Sequence, residues 1–120
     1  MDANDNRASS LRRQRRHPRH DLDERLVVTC DQGGKPKNLH GRCTSLSLGG
    51  FGAVLAGHLE SGEVVSVEFR FGSSGPPMRL RAHVRHRRGF HHGFEFLGLS
   101  TAQTRSLRDL ITEVARSLGT

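Results

Sequence analysis

Apolar and polar residues alternate along most of this chain, and the period changes only once. Val65, Val67, Phe69 and Phe71 fall on one side of an extended segment, with Ser66, Glu68 and Arg70 on the other. A period of two predicts a half-buried strand. Leu80, Ala82 and Val84 alternate with Arg79, Arg81, His83 and Arg85, which predicts a strand with a cationic outer face. Leu26-Val27-Val28-Thr29-Cys30 has the β-branched enrichment of a strand. Arg42 to Ser47 alternates polar with small apolar residues and stops at Gly49-Gly50, after which Phe51 to Leu55 resumes. Phe90 to Leu97 supplies a sixth strand, with Phe94 and Phe96 inward. The period then lengthens. Leu107, Leu110, Ile111, Val114 and Leu118 recur at helical spacing and predict an amphipathic helix over about 101–118. Ser100 with Gln103 three residues on forms a capping box, and Gly119 suits the far end.

Turn-forming residues punctuate the strands at Asp31 to Pro36, Ser61-Gly62, Gly72 to Pro77 and Arg88-Gly89. Six short strands and one terminal helix describe a mainly β fold, an antiparallel barrel or sandwich plugged or flanked by the helix. Residues 1–20 are polar, charged and unpatterned, so they are read as a flexible arginine-rich arm before a folded unit of residues 21–120.

Composition narrows the picture. The 120 residues fit one domain, with 33% hydrophobic residues, 14 glycines, six Phe and neither Trp nor Tyr. The net charge of +7 is carried mostly by arginine, which points to an anionic partner: nucleic acid, a nucleotide or an acidic protein surface. Six of the arginines lie between Arg7 and Arg19, where there is no acid. Arginine suits planar, bidentate contacts with phosphates and base edges, and stacking on rings. Cys30 and Cys43 fall in predicted strands and read as small buried hydrophobes. No apolar run approaches the ~18 residues of a membrane span, and no apolar segment follows the N-terminal arginines as in a signal peptide. A cytoplasmic protein with reduced thiols is the expectation.

Candidate chemistry is sparse. The acids are scattered, no paired carboxylates sit at strand ends, and Ser47 before Gly49-Gly50 is no nucleophile elbow, so no catalytic residue is expected. The eight histidines invite a metal reading. His83 and His86, three apart on a strand, are expected on opposite faces; His91 and His92 point apart; His83 and His91 across the hairpin are the best pair. Without cysteine or carboxylate support they read as solvated strand residues and no metal is expected. Anion recognition remains. Its elements are Arg15-Arg16-His17-Pro18-Arg19, ending just before the first strand, and Ser45-Leu46-Ser47-Leu48-Gly49-Gly50. Alternation sends Ser45 and Ser47 to one face. Gly49 and Gly50 permit positive φ and close approach of a ligand to the backbone.

Together these residues resemble the PilZ domain, the bacterial cyclic di-GMP receptor module, whose signature is R-x-x-x-R before the first strand and [D/N]-x-S-x-x-G some 20 to 35 residues later. Arg15 and Arg19 fill the first motif, with the extra Arg16 often found in the family; Ser45, Ser47 and Gly50 fall on the second. Arg12 and Arg16 also satisfy the first spacing, but the family keeps its second arginine close to the strand, which favours Arg15 and Arg19. Gly93-Phe94-Glu95-Phe96-Leu97 and Leu107 to Ile111 look like the family's last strand and closing helix. The departure is Ser45, where the family carries Asp or Asn against the donor edge of guanine. A charge-assisted bond is worth ~1.5–3 kcal/mol against ~0.5–1.5 for a neutral one, so the exchange is expected to weaken affinity unless a neighbour compensates.

The resemblance implies a six-stranded antiparallel split β-barrel with a C-terminal helix, a non-enzymatic receptor whose ligand is cyclic di-GMP, in some relatives an intercalated dimer. It implies Arg15, Arg16 and Arg19 on phosphates and guanines, Ser45 and Ser47 on a guanine edge, and Gly49-Gly50 beneath the ligand. The arm is expected to order over the ligand and so signal to a separate effector protein. Two alternatives stand beside it: a degenerate PilZ adaptor that has lost the nucleotide, and a basic barrel that binds nucleic acid through the arm and Arg79 to Arg88. The lack of Tyr and Trp counts against the last.

Overall fold

The computed structural model describes residues 17–70 and 77–119. Six strands are followed by one helix: β1 (His20–Gln32), β2 (Lys35–Leu46), β3 (Gly50–Leu55), β4 (Val64–Phe69), β5 (Met78–Arg88), β6 (His91–Leu97) and α1 (Thr101–Gly119). All pairings are antiparallel, in the order β1-β2-β3-β6-β5-β4, and β4 closes onto β1. Of the two layouts the alternation allows, the chain takes the closed barrel. The turn segment 71–76 and the side chain of Leu118 lie outside the described residues.

Local chemistry explains the first hairpin. Gln32 pairs with Lys35 across Gly33 and Gly34, which have φ of 61° and 83°. Positive φ at both central residues gives the two-residue turn whose twist matches the flanking strands, and glycine adopts it without steric cost. Lys35 and Pro36 belong to β2, so the turn is tighter than the Asp31–Pro36 signal suggested.

Inward positions make the core: Leu26, Val28 and Cys30 from β1, Leu39, Cys43 and Leu46 from β2, Val65, Val67 and Phe69 from β4, Leu80, Ala82 and Val84 from β5. Phe51 is its hub. Its ring stacks on Phe94 at 4.4 Å and meets Phe69 edge-on at 5.1 Å. Cys30 and Cys43 are buried free thiols, as expected, and burial pushes the Cys43 thiol up to about 12. Leu107 of α1 is fully buried and caps the barrel, with Leu110 and Ile111 packed against the core. The capping box forms: Gln103 N–H donates to Ser100 Oγ at 3.0 Å, and Ser100 N–H donates to Gln103 Oε1 at 2.9 Å.

Three bulges break strict alternation, between Asp21 and Glu24, Cys43 and Ser45, and Val84 and His86. Each adds a residue to one strand and reverses the parity beyond it. At Thr44 this lets Cys43 and Leu46, three apart, both point inward. At Arg85 it puts His83 and His86 on the same outer face, where strict alternation would separate them. His83 pairs with Glu95 rather than His91, and His86 with Gly93.

His92 also departs from the solvated reading. It is fully buried. Its Nδ1–H donates to Phe90 O at 2.9 Å and its Nε2 accepts from Leu59 N–H at 3.1 Å. Those bonds fix the neutral ring, and burial holds its pKa below the usual histidine value.

Candidate functional site

The bulge at Arg85 lines a cavity of about 160 Å³. Four pieces of chain meet there. His17 and Arg19 come from the segment before β1, and Ser47, Gly49 and Gly50 from the β2–β3 turn. Arg85 and His86 come from the β5 bulge; Gly93, Phe94 and Glu95 come from β6.

The β2–β3 turn is held from within. Ser47 N–H donates to Gly50 O at 2.9 Å. Ser47 Oγ accepts from the N–H groups of Gly49 and Gly50 at 3.1 and 3.2 Å and lies 3.3 Å from Gly50 O. A hydroxyl offers one donor and two acceptor lone pairs, so these contacts occupy it. Ser47 is therefore the residue that shapes the turn. Neither Gly49 nor Gly50 has positive φ, contrary to expectation. What they supply is space: a Cβ on Gly50 would lie 2.0 Å from Phe94 O, and one on Gly49 would lie 3.2 Å from the His17 ring. Gly93 is the same device across the cavity, since a Cβ there would stand 2.3 Å from His86 Nε2. The floor is backbone, with charged side chains rising around it.

Glu95 is the carboxylate of this group. Its Oε1 accepts from His83 Nε2 at 2.8 Å and from Arg85 Nη1 at 3.3 Å. The His83 hydrogen bond, helped by Arg85, holds its carboxyl below the usual carboxylate range, so it is ionised at neutral pH. No described carboxylate lies within ion-pair distance of Arg19.

The structure thus gathers four of the seven residues singled out from sequence: Arg19, Ser47, Gly49 and Gly50. Ser45 is not among the cavity's lining residues. It stays in the strand ladder opposite Gly52, half-buried, while Ser47 leaves the strand and turns back on its own loop. Arg15 and Arg16 lie outside the described residues. Sequence reading missed Arg85, His86 and Glu95. The outward parity of Glu95 between Phe94 and Phe96 was a legible signal; the bulge at Arg85 was not. Among the described residues no group of three or more His, Cys, Asp or Glu is placed to hold a metal, and no helix is long and apolar enough to cross a membrane.

A closed six-stranded antiparallel barrel, capped by a C-terminal helix and carrying an arginine-bearing entry segment beside the β2–β3 turn, is the PilZ architecture. The sequence model of the PilZ domain matches residues 13–113, and the chain belongs to that family. Similar solved structures include the PilZ domain with c-di-GMP of YcgR from Escherichia coli, at TM-score 0.72 and 23% identity over 88% of this chain and 94% of that one. The PilZ domain of CeSA from a cellulose synthesizing bacterium gives TM-score 0.66 and 17% identity over 82% and 98%. YcgR in complex with c-di-GMP from Escherichia coli gives 0.71 and 26%, and this chain covers 88% of itself but 47% of that protein. No curated protein matches the chain.

Proposed function

We propose that this PilZ domain is a receptor for cyclic di-GMP that acts on a protein partner and has no catalytic activity of its own. The observation that carries the reading is the meeting of Arg19 and His17 with the Ser47–Gly50 turn around a backbone-floored cavity. A phosphodiester needs cationic donors and close approach to backbone, and both stand here within one concavity. Arg15, Arg16 and Arg19 hold phosphates and stack on guanine, Gly49 and Gly50 lie beneath the ligand, and Ser47 keeps the turn in shape. Ser45 faces the ligand only if the nucleotide extends beyond the described cavity. An intercalated nucleotide dimer would match the number of arginines.

The cavity is smaller than a cyclic dinucleotide, so most of the ligand must be covered by something else. We assign that cover to the arm that leads into Arg19, whose ordering over the nucleotide changes the surface shown to an effector protein. Calorimetric titration with cyclic di-GMP at low salt tests the reading: saturable binding is expected at micromolar concentrations. Absence of heat there, with the barrel folded, would sink it and leave the adaptor without nucleotide. That second reading is favoured by one observation, the commitment of the Ser47 hydroxyl to its own loop.

A further inference from the structure

Neither serine of the second motif offers the cavity a free, charged acceptor. Ser47 is occupied by its turn and Ser45 does not line the site. Glu95 does. It stands directly opposite Gly50 in the β3–β6 ladder, it lines the cavity, and its side chain is about half exposed, at 46%. Both of its contacts, with His83 and Arg85, are made through Oε1, so neither uses Oε2. We infer that Glu95 accepts from the donor edge of a guanine bound at this cavity and makes the site select guanine over adenine. This rests on the cyclic dinucleotide reading above.

The chemistry follows from the base edges. Guanine presents N1–H and N2–H₂ side by side, two donors that an acceptor-only carboxylate matches. Adenine presents its N1 lone pair beside N6–H₂, so the same carboxylate meets a lone pair. His83 on the outer face and Arg85 at the bulge hold Glu95 ionised and oriented, which makes them positioning residues. The rival role for Glu95 is plain neutralisation of Arg85. That role predicts the opposite sign, because removing the charge would free Arg85 for phosphate and tighten every cyclic dinucleotide alike.

The test is a calorimetric titration of the full chain and its Glu95→Gln variant with cyclic di-GMP and cyclic di-AMP. The unaltered chain should prefer cyclic di-GMP. Glu95→Gln should weaken cyclic di-GMP by about tenfold or more, the loss of a charge-assisted contact. Cyclic di-AMP should hold or tighten, since an amide can give to N1 and accept from N6–H₂. Glu95→Asp, which keeps the carboxylate, should keep the guanine preference and serves as the control for fold. Equal changes for both nucleotides, in either direction, would overturn the inference while leaving the receptor intact. Failure of the unaltered chain to bind cyclic di-GMP would overturn the receptor reading and this inference with it.

Discussion

Among the described residues two concavities on this barrel carry more than one arginine, and they differ in what stands beside the charge. A groove of about 570 Å³ on the outer face of β2, β1 and β4 holds Arg25, Arg42 and Arg70. There Arg42 contacts Asp23, and Arg70 reaches Glu68 at 3.0 Å with Arg79 on its other oxygen at 2.9 Å. Those arginines hold the Glu68 carboxyl below its usual range. Among the described residues the smaller cavity holds Arg19 without a carboxylate partner and one acid, Glu95, already engaged by His83 and Arg85. Its floor is glycine backbone. Among the described residues two of the groove's three arginines and one of the cavity's two have a carboxylate partner, so what sets the cavity apart is the glycine backbone beside Arg19 and not the charge count.

The largest expected effect breaks that contrast from the arginine side. Arg15→Ala with Arg19→Ala should cost about a hundredfold or more in cyclic di-GMP affinity, from two charge-assisted contacts of ~1.5–3 kcal/mol each. Arg42→Ala with Arg70→Ala should leave affinity unchanged, with thermal melting confirming that both variants fold. Equal losses from the two pairs would show that the cation count, not the cavity, sets binding.

A glycine pair sharpens it further. Gly50→Ala and Gly41→Ala both force a Cβ onto backbone, 2.0 Å from Phe94 O in the cavity and 2.3 Å from Val54 O beside the groove. Each should lower stability by about 1–3 kcal/mol in urea titrations. Only Gly50→Ala should also lose ligand affinity per folded molecule, because only it fills the cavity floor.

The smallest effect separates the regions by acid. His92, in the same strand as Glu95, is buried neutral with its pKa pushed by burial below the ordinary histidine value of 6.5. The unfolded chain then binds the proton more tightly than the folded one. Stability is full above pH 6.5 and is lost as pH falls below it, through the folded pKa. Glu68 in the groove has its pKa depressed from 4.5, so its contribution is present above that pH and is lost only on further acidification. The urea midpoint should therefore fall first in mildly acidic solution, and His92→Gln, whose carbonyl can accept from Leu59 N–H, should flatten that first step. A first loss confined to pH below 4.5 would assign it to the carboxylates.

Local features were legible in the sequence because their causes are local. Paired glycines at 33 and 34 set a hairpin, Ser100 with Gln103 set a helix start, and alternation in β4 and β5 set inward faces. The bulges at Thr44 and Arg85 were not legible, since an extra residue in one strand is defined only against its partner. Missing the second separated His83 from His86, and alternation put Ser45 beside Ser47 by running β2 on past Leu46, where it ends. His92 was missed for a related reason: Leu59, whose N–H donates to its Nε2, belongs to a loop far away in sequence.

What the sequence by itself determined is the set of strands, the capped helix, the membership of the family and the arginine-bearing segment before β1. These rest on periodicity, turn chemistry and charge, each readable within a short window. The tertiary structure alone decided that β4 closes onto β1 and that Gly50 lies against Glu95. It also decided which arginines have their charge answered. Those are facts of register between strands distant in sequence, where a single inserted residue moves a side chain to the other face of the sheet.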